Sequence, residues 1–224
     1  MKVELSLQGV SAEILYHTYG GFEVNTLLIS FREKRRILST WDGYRKVGFV
    51  ANTYQPPPLS KITMQNYAEF EEKFPVELGI PCDDLAFLST GANMDNLAMC
   101  ERSYEDRMVC CLATGGVGNA LRAGVDEAGW IDREGEYEEV MGTINIILLT
   151  NVNLTEGAMA RAIITATEAK TATLQDMDVR SSVSPENQAT GTGTDNVIVV
   201  SGRGEGERIK SAGGHTKMGE LIGA

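Results

Sequence analysis

The sequence predicts a layered α+β protein: a strand-rich N-terminal part followed by strand–helix–strand units. Three observations point there. Residues 2–53 hold repeated short β-type runs, residues 142–150 (GTINIILLT) form a continuous apolar run, and a helical pattern joins that run to a second one at 195–202 (DNVIVVSG). An α/β/β/α sandwich is one form such layering takes. The 224 residues, 42% of them hydrophobic, suffice for a substantial core, so a single domain over 1–224 is expected.

The runs VELSL, AEILY, VNTLLISF, RRILST and VGFVANTY read as strands, with Gly20–Gly21 and Asp42–Gly43 as hairpin turns. Pro56, Pro57 and Pro58 form a stiff break. Ile62, Tyr67, Phe70 and Phe74 recur near helical spacing, so a helix is expected over 62–74, stopping at Pro75. Strands follow at 85–89 and 107–113, and the acidic stretch 126–139 reads as a surface excursion. GTINIILLT is expected to be a central strand, buried on both faces. Asn153, with Glu156 three residues on, is the expected N-cap of a helix over 154–176. Its core face reads as Met159, Ala162, Ile163, Ala166, Ala169 and Thr173. Segment 181–195 is polar and Gly-rich, hence a loop, and a short helix is expected over 215–222.

Composition narrows the function. Twenty Lys and Arg against 31 Asp and Glu give a net charge of −11, which argues against a nucleic-acid or anionic-membrane surface. No apolar run approaches the roughly 18 residues of a spanning helix. The N-terminus MKVELSLQGV alternates like a strand rather than a signal peptide, so a soluble cytoplasmic protein is expected. Cys82, Cys100, Cys110 and Cys111 have no zinc-type spacing and read as small core residues, Cys110 and Cys111 pointing to opposite strand faces. With only His17 and His215, an H-E-x-x-H metalloprotease is excluded, and no metal ligands are assigned.

Three segments share a Thr-Gly step followed by Asn: 89–96 (STGANMDN), 113–119 (ATGGVGN) and 189–196 (ATGTGTDN). Glycine allows close backbone approach, and the hydroxyls and amides beside it are short, uncharged hydrogen-bonding groups. Any one of them is an ordinary tight turn. Converging, they would form a pocket for an amide- or phosphate-bearing small molecule. ATGGVGNA is neither a dinucleotide fingerprint nor a Walker loop, since G-x-G-x-x-G and G-K-[ST] are absent, as is G-x-S-x-G.

The segments STGANMDNLA (89–98), CLATGGVGNALRAG (111–124), GTINIILLT with the following helix to 182, ATGTGTDNVIVVSG (189–202) and GGHTKMGELIG (213–223) resemble the adenosylcobinamide amidohydrolase family. The resemblance is dense over 85–224 and looser before it. It implies hydrolysis of the amide between the corrin propionyl side chain of adenosylcobinamide and its aminopropanol arm. The products would be adenosylcobyric acid and 1-aminopropan-2-ol, a salvage reaction of prokaryotes and especially archaea. The cobalt belongs to the substrate, and no protein-bound cofactor is implied. A shorter stretch, GTINIILLT–helix–TGTGTDNVIVV, is similar to part of the P1-aminopeptidase (DmpA-type) fold, without an evident counterpart of that group's nucleophile.

Amide hydrolysis needs an activated nucleophile, a held oxyanion and a protonated leaving amine. Candidate bases are Glu168, Asp195 and His215. Glu168 and Lys170 sit on the long helix among threonines, where charged residues also serve as a solvated face. Asp195 stands between a Gly/Thr loop and a buried strand, and is equally suited to opening that strand. His215 begins the expected short helix, whose N-terminus favours neutral imidazole; it also reads as a surface residue of a turn. Backbone N–H groups at Gly115–Gly116 or Gly191–Gly193 are oxyanion candidates, and Lys217 a candidate for the product carboxylate. Asn93, Asn96, Asn119, Thr192 and Thr194 are the expected substrate-binding side chains. Ser89, Thr90, Thr114, Thr192, Thr194, Cys110 and Cys111 are the available nucleophiles, but the sequence pairs none with a base, so a directly activated water is expected. The expected partner is adenosylcobinamide, with no nucleic acid and no membrane; association into a homo-oligomer is compatible with the sequence. A non-catalytic corrinoid- or nucleotide-binding module and a phosphate-handling transferase are the competing readings.

Overall fold

The computed structural model describes residues 1–127, 142–204 and 206–224. The expected acidic excursion lies outside them, apart from Asp126 and Glu127.

The N-terminal half is a meander. Strand β1 (Lys2–Val3) pairs with β2 (Val10–Tyr19), and β2 turns at Gly20 and Gly21 into the long β3 (Phe22–Ser39). Both glycines have positive φ, 57° and 83°, which a two-residue hairpin of this hand requires. Strand β4 (Gly43–Tyr54) follows antiparallel, and β5 (Leu85–Thr90) lies parallel to it. Between them come α1 (Pro57–Gln65) and α2 (Tyr67–Glu77). The proline run thus starts a helix: Pro56 is the N-cap and Pro57 the first helical residue, where a missing N–H costs nothing. The expected single helix is two, divided at Asn66, and Pro75 falls inside the last turn of α2 rather than ending it.

The C-terminal half adds the hairpin β6 (Ala98–Tyr104) and β7 (Arg107–Gly115), then β8 (Ile144–Thr150), α3 (Glu156–Asp176), β9 (Asn196–Val200) and α4 (Lys217–Gly223). All seven residues of β8 are buried, as the apolar run predicts. The cap of α3 is Thr155, whose hydroxyl accepts from Ala158 N–H at 3.2 Å, and not the expected Asn153. The side chain of Asn153 is taken by the Arg36 guanidinium. On α3, Thr173 is exposed and Leu174 holds the core position instead.

All nine described strands belong to one mixed sheet rather than two separate layers. Strand β3 makes this possible. A register shift between Ser30 and Arg35 divides it, so one edge pairs with β2 up to Phe31 and with β9 from Ile37. The sheet curls, and its largest core packs Leu27, Ile29, Val50 and Leu88 with Leu112, Ile147, Leu149 and Ile198. A second core lies between β7–β9 and the two C-terminal helices, through Ile146, Leu148 and Val197 against Met159, Ala162 and Met218. A third packs Phe70 and Phe74 of α2 on Ala51, Leu85 and Phe87. Cys110 faces the first core and Cys111 the second, the opposite faces expected of neighbours in a strand. No helix among the described residues is long and apolar enough to cross a membrane.

Candidate active site

Register brings the three Thr-Gly bends to one end of the sheet. Thr114 of β7 lies opposite Asn145 of β8, and Asn145 opposite Asn196 of β9. The Asn145 side chain donates to the Ser89 carbonyl at 3.0 Å, which places the end of β5 there too. The second and third bends also pair through Leu121 and Gly191, with Leu121 N–H donating to the Gly191 carbonyl at 2.8 Å. Gly142, just before β8, is where the second bend closes in: a methyl there would lie 2.7 Å from the Gly116 carbonyl oxygen.

Asp195 is the charged centre of this end. It forms an ion pair with Lys170, the two side chains being 14% and 11% exposed. Helix α3 delivers Lys170 because it runs back along the sheet from the far end of β8; Thr171, the next residue, donates to the Thr190 carbonyl at 3.1 Å. Asp195 Oδ1 also accepts from the Thr192 hydroxyl and from Ile144 N–H at 3.1 Å, and Oδ2 accepts from Thr192 N–H at 3.2 Å. Gly191 makes room for the pair, since a methyl there would lie 2.7 Å from Lys170 Nζ.

Three hydroxyls lead outward from that carboxylate. Thr192 Oγ1 lies 3.2 Å from Thr194 Oγ1, which lies 2.7 Å from Thr143 Oγ1. An ionised carboxylate only accepts, so Thr192 donates to Asp195 and can only accept from Thr194. Thr194 has one proton, and the Gly142 carbonyl at 2.8 Å is its alternative acceptor. Thr192 is buried while Thr194 is exposed, so the row joins a sheltered carboxylate to the surface.

The other predicted residues are distributed unevenly. Glu168 is on α3 but exposed. His215 is exposed in the turn before α4. That turn packs beside Arg161, from which Gly213 would be 3.5 Å if it carried a methyl. Arg161 is nine residues before Lys170, about 13 Å along the helix. Lys217 pairs with Glu220 and lies 4.5 Å from the Tyr104 ring centroid, at the end of β6 away from the bends. These two basic residues are therefore not gathered with Asp195. Asn93 is turned to its own bend, accepting from Asp95 N–H and from the Asn25 amide, each at 2.8 Å. Asn96 and Gly115 are exposed. Gly116 N–H donates to the Thr143 carbonyl at 3.0 Å and is not free for an oxyanion. Asn119 is half-buried, and its Oδ1 has no partner among the described residues.

Thr90 caps its own turn, accepting from Ala92 N–H at 3.0 Å, and Ser89 Oγ lies 3.2 Å from the Tyr67 hydroxyl, whose pKa burial pushes up to about 12. Burial likewise pushes the Cys110 thiol up to about 12 and Cys111 to about 11. Of the candidate nucleophiles, Thr192 alone meets a carboxylate through its hydroxyl among the described residues.

Sequence reasoning missed Thr143 and a buried amide group, Asn52 with Asn145. Asn145 Nδ2 donates to Asn52 Oδ1 at 2.8 Å, and Asn52 Nδ2 to Thr114 Oγ1 at 2.9 Å. The signal was a single amide inside each of two apolar strands, VANTY and TINIILL, where a buried polar group demands a partner.

The profile described as adenosylcobinamide amidohydrolase matches residues 10–224. An uncharacterized protein of Methanocaldococcus jannaschii is 46% identical over 211 residues, covering 89% of this chain and 82% of its own. The adenosylcobinamide amidohydrolase of Methanosarcina mazei is 29% identical over 188 residues, covering 80% of this chain and 79% of its own. Among solved structures, the PH0078 protein of Pyrococcus horikoshii aligns with a TM-score of 0.48 at 12% identity, over 97% of this chain and 81% of its own. The L-aminopeptidase D-Ala-esterase/amidase of Ochrobactrum anthropi, described as a variant of the Ntn hydrolase fold, aligns at 0.37 and 12%, over 86% and 71%.

Proposed function

Since the chain belongs to the adenosylcobinamide amidohydrolase family, we propose that it hydrolyses the amide bond of adenosylcobinamide, releasing adenosylcobyric acid and 1-aminopropan-2-ol for reuse of cobamide precursors. The cobalt travels with the substrate. The observation that carries a catalytic role for this end of the sheet is the Asp195–Lys170 pair with the row of threonines leading out from it.

In the reaction, the oxygen of water bonds to the carbonyl carbon, the C–N bond breaks, and the amine leaves with a proton. Four donors already occupy Asp195, so it takes a proton along an existing bond rather than from a new partner. Water beside Thr143 passes its proton to that hydroxyl, Thr143 to Thr194, Thr194 to Thr192, and Thr192 to Asp195. The reverse transfer protonates the departing amine. Lys170 keeps Asp195 in place through their ion pair. Asn119, whose carbonyl oxygen has no partner among the described residues, accepts from an amide N–H of the corrin rim.

Glu168 and His215 receive no catalytic role in this reading, because one is exposed on the helix and the other lies along α3 from Lys170. The test is to incubate the purified protein with adenosylcobinamide and follow both products by chromatography and mass. Formation of adenosylcobyric acid with stoichiometric aminopropanol is the expected result. Tight corrinoid binding without turnover at any pH would favour a non-catalytic binding module instead.

A further inference from the structure

A second polar site lies at the opposite end of β9 from Asp195. There the chain leaves Val200 and passes Gly202 and Arg203, beside the register shift of β3. A hollow of about 580 Å³ is lined by Glu33, Lys34, Arg35, Arg36, Lys46, Arg203 and Arg208, with Gly202 and Gly204 completing it. Among the described residues, six cationic side chains thus face one carboxylate, in a protein whose net charge is −11. Lys34 is paired with Asp84 at 3.0 Å. Arg36 is fixed from behind: its Nη2 donates to the Leu154 carbonyl at 2.9 Å and to Asn153 and Ser201. Its Nη1 is buried without a partner among the described residues. Arg35 is only 6% exposed, and both its Nε and Nη1 are buried and unpartnered among them. Burial, and then the nearby Arg203, hold its pKa below the ordinary guanidinium value. Arg203 is itself wedged over the turn before β2, its Nη2 occupying the space a side chain at Gly9 would need.

Guanidinium N–H groups that are sheltered from water and lack acceptors are an unfavourable arrangement until an oxyanion fills it. Planar forks suit the tetrahedral oxygens of phosphate, which accept in pairs. The hollow is larger than one phosphate group, and it presents cations from β3, from Lys46 of β4, and from Arg203 and Arg208. We infer that this hollow is a binding site for a phosphoryl-bearing small molecule with at least two phosphate groups, held by Arg35, Arg36, Lys46, Arg203 and Arg208 and separate from the amide-hydrolysing end.

The test uses inorganic pyrophosphate, ADP and AMP with the whole protein, followed by calorimetry and thermal unfolding. Saturating pyrophosphate or ADP is expected to raise Tm by roughly 5 °C, and AMP by less. The Arg203→Ser/Arg208→Ser double variant changes exposed residues only; it is expected to fold normally and bind at least tenfold more weakly. Arg35→Lys, which keeps the charge and removes the fork, is expected to weaken binding similarly. Tighter binding of ADP than of pyrophosphate assigns the site to a nucleotide or other organic diphosphate; equal binding assigns it to any diphosphate. The inference is overturned if millimolar pyrophosphate and ADP give neither heat nor a Tm shift. It is equally overturned if the double variant binds as tightly as wild type, or if sulfate at matched ionic strength reproduces the shift.

Discussion

Asn145 donates its side-chain N–H to Oδ1 of Asn52 at 2.8 Å, although β8 and β4 are not neighbours in the sheet. The bond crosses the inside of the curl, beside the largest core. Asn52 continues it to Thr114, and the three residues are 1%, 2% and 1% exposed. Thr114→Val removes the acceptor and leaves a buried amide donor unpaired. It is expected to cost about 1–3 kcal/mol, read as a lower urea midpoint at unchanged slope. A wild-type midpoint would mean that the amides find other partners.

Removing one partner of the sheltered Lys170–Asp195 pair leaves the other charge stranded. Lys170→Met is therefore expected to destabilise by about 3 kcal/mol. The double variant Lys170→Met/Asp195→Asn should recover more than half of that loss in the same urea titration. Simple additivity of the two single changes would show that the pair is not coupled.

Turnover separates the three carboxylate and imidazole candidates. Asp195→Asn is expected to lower kcat by about 100-fold or more, the range for losing a positioned acid–base group. Glu168→Gln and His215→Gln should stay within about twofold of wild type, as exposed residues outside the constellation do. A large loss in either, with folding intact by circular dichroism, would move the chemistry away from Asp195.

Thiol chemistry should be irrelevant to activity. At neutral pH a thiol with a pKa of about 12 is ionised to roughly one part in 10⁵, so Cys110 is inert as a nucleophile, and Cys111 nearly so. Iodoacetamide on the native protein is expected to label the exposed Cys82 first and leave turnover unchanged. Loss of activity in proportion to Cys110 or Cys111 labelling would contradict this.

His17 adds a pH term to stability. Its Nε2 lies 2.9 Å from the Thr26 hydroxyl, and burial lowers its pKa below 6.5. Between the lowered folded value and the unfolded one, the unfolded chain binds more protons, so stability rises with pH. The His17 contribution is complete above about pH 6.5 and is lost as pH falls toward the folded pKa. Thermal scans of wild type and His17→Gln from about pH 5 to 7.5 should show wild type losing stability faster on acidification. Parallel curves would assign the pH dependence elsewhere.

The apolar runs made β8, β9 and α3 legible in the sequence, because burial on both faces or along one stripe leaves a periodic trace. The hairpin turns at Gly20–Gly21 and Asp42–Gly43 were equally readable from turn chemistry. The α3 cap was misplaced because Asn153 and Thr155 are both good caps, and the choice was settled by Arg36, more than a hundred residues away in sequence. The β6 strand, exposed over most of its length, carries too little apolar pattern to announce itself. At the site, three similar bends were visible, but the pairing of Lys170 with Asp195 was not. It depends on how far α3 runs back along the sheet, a distance no local pattern encodes.

Strand β3 has a consequence for how the chain is made. Ile37 is paired with Val200, so the inner edge of one segment waits for a partner made much later in the chain. Such distant closure is slow. Until it happens, the newborn β2–β5 portion exposes an unsatisfied strand edge, and a chaperone that shields that edge would raise the yield of active protein more than one acting on the helices.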